Sequence, residues 1–79
     1  MERKLKLIWD FKGQNALETA KHHTIHLQEF AEIENLQSKK TGVVTINELH
    51  SYAFLVVTNN QMKIVRDALK PHRGQVHED

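Results

Sequence analysis

Hydrophobic and polar residues alternate over residues 4–11: Leu5, Leu7 and Trp9 take one side, and Lys4, Lys6 and Asp10 take the other with Ile8 among them. Successive strand residues point to opposite faces, so this spacing predicts a β-strand with one buried face. Lys12-Gly13 breaks the alternation. Asn15 followed by Glu18 has the form of a capping box, and a helix is expected to start at Ala16. No proline or glycine intervenes from there to about Leu36, and at about 100° per residue Ala16, Ala20, Leu27, Phe30 and Ala31 fall on one stripe that should pack on the sheet. His23 lies at its margin. A thinner stripe on the far side carries Ile25, Ile33 and Leu36, which a lone domain would leave in water and which reads as an interface.

Residues 37–42 are polar and end in glycine, as a loop back to the sheet would. A second strand is expected over 43–46 and a third over 49–57, with Asn47-Glu48 as the turn between them. The third strand is apolar on both faces, with Leu49, Ala53, Leu55 and Val57 on one and Tyr52, Phe54 and Val56 on the other, the pattern of a central strand covered on both sides. Thr58 with Gln61 repeats the capping-box form, and Met62, Val65, Ala68 and Leu69 make one helical stripe. That helix should end near Lys70, ahead of Pro71 and Gly74. The tail from about Arg73 is polar, with Gln75-Val76-His77 as a short fourth strand at most.

The order strand–helix–strand–strand–helix predicts an α+β domain on a ferredoxin-like, split β-α-β plan: a three- to four-stranded antiparallel sheet with two helices on one face. At 79 residues the chain has room for one domain and one core, spanning 1–79. With the tail too short for a full strand, the first strand would be left as an edge, and the open sheet face would carry Ile8 with one row of the third strand. Both surfaces invite a companion, and a homodimer that covers the face or extends the sheet is expected.

Lysine and arginine number 11 against 10 aspartate and glutamate, a near-neutral field that argues against a strong polyanion binder. No apolar run approaches the ~20 residues of a membrane-crossing helix, so no membrane is implied. The absence of cysteine removes disulfides and thiolate metal sites and fits a reducing cytoplasm, the expected location. The six histidines make the charge sensitive between about pH 5 and 7.

Those histidines carry most of the candidate chemistry. His22, His26 and Glu29 share one helix face and suit zinc or nickel, but one helix supplies too few ligands, and another would have to come from His50, His72, His77 or a second chain. The His-Glu-x-x-His pattern is absent, and solvated or interface histidines outweigh a metal site; no other cofactor is implied. His50, beside the aromatics of the third strand, has the chemistry to line a ligand site on the open face or to act as an acid or base. Lys70, His72 and Arg73 gather where a helix dipole favours cations, and Lys12-Gly13-Gln14 is only a fragment of a phosphate loop. No serine or cysteine nucleophile motif appears and no catalytic residue is assigned, so a binding module is favoured over an enzyme.

The run His50-Ser51-Tyr52-Ala53-Phe54-Leu55-Val56-Val57 resembles the RNP1 strand of RNA-recognition motifs. The resemblance covers these residues alone. It implies a central third strand on which Tyr52 and Phe54 stack bases, with Lys4 and Lys6 nearby. His50-Ser51 stands where that family has a basic residue and glycine, and the first strand offers no aromatic on the same face. The sequence therefore ranks a self-associating module for a partner or small ligand first, with His50, Tyr52 and Phe54 as its face, ahead of single-stranded RNA binding and a histidine metal site.

Overall fold

The computed structural model describes residues 3–77. Its elements are β1 (Lys4–Lys12), α1 (Ala16–Ile33), β2 (Thr41–Asn47), β3 (His50–Thr58), α2 (Met62–Leu69) and β4 (Arg73–His77). The sheet has the order β2-β3-β1-β4, and every neighbouring pair is antiparallel. It follows that β1 runs parallel to β2 with β3 between them, and β3 runs parallel to β4 with β1 between them. Two split β-α-β units thus interlock, the ferredoxin-like arrangement. The tail does form a strand: β4 pairs with β1 from Lys4↔His77 to Ile8↔Arg73. This corrects the expected edge, for β1 is interior and the sheet's edges are β2 and β4.

Both helices lie on the face to which Leu5, Leu7, Trp9 and Phe11 point, together with Val43, Ala53, Leu55 and Val57. Ala20, Leu27 and Ala31 of α1 and Val65 of α2 close that side, all fully buried. The small side chains at positions 20 and 31 let the helix approach the strands closely, while Leu27 fills the space between. Trp9 buries its indole body and donates its Nε1–H to the Leu69 carbonyl at 2.8 Å, tying β1 to the last turn of α2. Among the described residues no helix is long and apolar enough to cross a membrane.

Several local expectations are corrected. Neither capping box forms, since Asn15 and Gln61 occupy the N-cap positions without a side-chain cap bond. Gln61 instead uses its Oε1 to accept the Gln37 N–H at 2.9 Å, fastening the loop after α1. The hairpin turn is Glu48-Leu49, held by Asn47 Oδ1 accepting the Leu49 N–H at 2.8 Å. Leu49 is therefore half-exposed, and Ser51 begins the inward row in its place. Leu36 is also misplaced by periodicity, because α1 stops at Ile33 and Asn35 turns left-handed with φ of 51°. The Leu36 N–H then donates to the Ala31 carbonyl at 3.0 Å, a closing turn that swings Leu36 into the core.

Candidate functional site

The face without helices is built from alternate residues of all four strands. Register places Lys6 opposite Val56, Ile8 opposite Phe54, Asp10 opposite Tyr52 and Lys12 opposite His50 across β1 and β3. Arg73 joins from β4 opposite Ile8, and Gly42 and Val44 from β2 lie opposite Phe54 and Tyr52. The third-strand row left open by the sequence is thus decided, with Tyr52 and Phe54 on the helix-free side and both part-exposed.

Phe54 is positioned by what β2 lacks. A Cβ on Gly42 would sit 2.7 Å from Phe54 Cζ, so the ring lies directly over glycine backbone. Tyr52 sits beside it with ring centroids 6.5 Å apart and planes tilted by 58°. Two cations flank the pair. Lys6 Nζ lies 4.4 Å from the Phe54 centroid and 5.4 Å from that of Tyr52, and the Arg73 guanidinium carbon lies 5.4 Å from the Tyr52 centroid. Such distances suit cation–π attraction and fix both cations beside the rings.

Arg73 is held by Asp10. Its Nε donates to Asp10 Oδ2 at 2.9 Å and its terminal nitrogen to Oδ1 at 3.2 Å, while His50 Nε2 lies 2.8 Å from the same Oδ1. The hydrogen bond from Arg73 holds the Asp10 carboxyl below its ordinary range, against the opposing effect of burial and with further help from His50. His72 completes the end of the site by accepting the Asp10 backbone N–H on Nδ1 at 2.9 Å. That bond requires Nδ1 to be unprotonated.

Beneath these side chains Ile8 and Val56 are each only 1% exposed, although no helix covers them. The stems of Lys6 and Arg73 and the two rings supply the cover. The surface on offer is consequently aromatic and cationic instead of aliphatic. Lys6, Lys12 and Arg73 face the single carboxylate of Asp10 among the described strand residues of this face, whereas α1 carries Glu18, Glu29 and Glu32 against Lys21. A near-neutral chain thus segregates its charge, positive on the sheet and negative on the main helix.

The other candidates separate. His22, His26 and Glu29 are exposed on α1, with His26 Nδ1 3.9 Å from Glu29 Oε1. His50 and His77 lie on β3 and β4, and His72 in the turn after α2, close enough to His23 of α1 to act on it electrostatically. Among the described residues no group of three or more histidine, cysteine, aspartate or glutamate side chains is gathered to hold a metal ion. His23 is wedged between Trp9 and Phe11, with centroids at 5.2 and 5.4 Å, and its Nε2 is buried without a hydrogen-bond partner. Ile25 and Ile33 remain exposed on α1, at 57% and 80%, but Leu36 does not join them. The sequence pointed to His50, Tyr52 and Phe54, which the structure brings to one face, and did not point to Asp10 and Gly42, which position them there. The one signal for Asp10 was a carboxylate among the lysines of an otherwise cationic strand face.

No protein-family model, curated protein or solved structure matches the chain.

Proposed function

We propose that this chain is a small binding module that works through its helix-free sheet face, and that single-stranded RNA is the ligand class this face fits best. The observation that carries the reading is the pair Tyr52 and Phe54, part-exposed side by side on a central strand, with Lys6 and Arg73 against their rings. Aromatic rings on a sheet offer stacking platforms to unpaired bases, and flanking cations meet the phosphates between them. The likeness of residues 50–57 to an RNP1 strand points the same way. So does the segregation of charge, because a neutral total conceals a positive face. Ile8 stands where an aromatic on β1 would add a third platform, so the ligand contacts few bases and binds modestly.

The test is a fluorescence-anisotropy titration with a short unstructured RNA at two salt concentrations. Binding should weaken with salt, and each of Tyr52→Ala and Phe54→Ala should weaken it by about tenfold, as loss of one stacked base implies. A wild-type protein that gives no saturable, salt-dependent signal refutes the reading.

Self-association is favoured by a separate observation, the exposure of Ile25 and Ile33 on the outer side of α1. A dimer that buries this stripe leaves the sheet face free. Sedimentation at tens of micromolar distinguishes it, since a monomer there removes the dimer and leaves the RNA reading intact.

A further inference from the structure

A cleft of ≈ 430 Å³ opens on the helix side, between α2 and the β1–β4 pair, on the reverse of the aromatic face. Leu5 and Leu7 of β1, Met62 of α2 and Val76 of β4 line it, and Arg66 of α2 joins them. Two features leave this space unfilled. Helix α2 is only eight residues long, and Val65 is its one buried residue, so it covers its end of the sheet sparsely. Opposite Leu7, β4 supplies Gly74, where even a Cβ would come within 3.2 Å of Leu7 Cδ2. Any larger residue at that position would take up room that the cleft now holds.

The cleft's size falls within the range of about 300–1,000 Å³ typical of small-molecule sites. Its lining is aliphatic and thioether carbon, with no aromatic ring on which a flat ligand would stack. Arg66 is the cation available to it. Arg73 also borders the cleft, but its guanidinium is committed to Asp10. The ion pair of Arg66 is with its exposed neighbour Asp67, at 3.5 Å, a solvated contact that a better acceptor displaces at little cost. A guanidinium presents paired donors matched to a carboxylate. We propose that this cleft binds a small alkyl carboxylic acid, its chain against Leu5, Leu7, Met62 and Val76 and its carboxylate on Arg66. The proposal does not rest on the RNA reading: its apolar lining and Arg66 lie on the reverse of the aromatic face, and Arg73, which borders both, is engaged by Asp10.

The experiment is an NMR titration of the full chain with octanoate, kept below its micellar concentration, and with octan-1-ol as the uncharged probe. Saturable octanoate binding is expected, with amide shifts centred on Leu5, Leu7, Met62, Arg66, Gly74 and Val76. Affinity should rise about fourfold for each methylene added from hexanoate towards decanoate until the cleft is full. Arg66→Gln, at an exposed helical position, should weaken octanoate by about fivefold to tenfold and leave octanol unchanged. Gly74→Val should abolish binding of both; if that variant does not fold, the Arg66→Gln comparison still decides. No saturable octanoate binding, shifts centred on Tyr52 and Phe54, or an equal loss for acid and alcohol in Arg66→Gln would each overturn the proposal.

Discussion

Each face of this sheet holds a pair of fully enclosed apolar residues, and the two pairs are sealed differently. On one, Leu55 and Val57 are wholly buried under α1 and α2, whose backbones fix the cover in place. On the other, Ile8 and Val56 are just as inaccessible, but their cover is made of side chains: Lys6, Tyr52, Phe54 and Arg73. A lid of rotamers can part for a ligand, whereas a lid of helices can part only by unfolding. Long cationic side chains thus let a single-layer sheet protect apolar residues and still display charge and aromatic edges to water. The expected bare apolar face is therefore not bare, since its aliphatic residues Ile8 and Val56 are already covered within one chain.

The largest effect should come from trimming each seal to its base. Leu55→Ala, under rigid cover, is expected to cost about 3–4 kcal/mol of stability, and Ile8→Ala, under side chains able to settle into the gap, about 2 kcal/mol. Urea unfolding with an unchanged slope measures both. Equal losses would mean that the side-chain lid is as unyielding as the helices. A smaller effect, about 1 kcal/mol, should follow Asp10→Asn, which releases Arg73 and His50 at a part-exposed position. The Asp10 carboxyl titrates below its ordinary 3.8 because Arg73 bonds its charged form. Its contribution is therefore complete above about pH 4 and lost as pH falls through the lowered value, so the variant should show a shallower loss of stability in acid. The smallest effect belongs to His23 on the helix side. Burial, aided by the nearby charges of His26 and His72, lowers its pKa from the ordinary 6.5. The unfolded chain then binds more protons, and stability should hold above about pH 6.5 and decline below it. His23→Leu should flatten that decline below about pH 6.5 while leaving the Asp10 limb unchanged.

Much of the fold could be read from the chain because its signals are local. Alternation located β1 and β3, the two-sided apolarity of β3 marked it as central, and Ala16, Ala20, Leu27 and Ala31 gave the packing stripe of α1. The errors cluster where one residue redirects the chain. Asn35 ends α1 and turns Leu36 inward, and Asn47 caps a turn that takes Leu49 out of its strand. Strand β4 was half-hidden because Arg73-Gly74 reads as tail until β1 is there to pair with it. Tyr52, Phe54 and His50 were legible from their spacing on one strand. Asp10 was not, because its partners His50 and Arg73 lie 40 and 63 residues along the chain and only the sheet register unites them.

The Gly42–Phe54 contact ties the aromatic surface to β2. With a ring atom 2.7 Å from where a methyl group would stand, position 42 cannot gain a side chain while position 54 keeps its phenyl group in place. The two sites are coupled: a side chain at 42 requires the ring at 54 either to swing off the β2 backbone or to give way to something slimmer, and the surface it shares with Tyr52 changes in both cases. The bare backbone at 42 is thus what lets a phenyl group lie over the outer strand, and the shape of the aromatic surface depends on a residue that contributes no side chain to it.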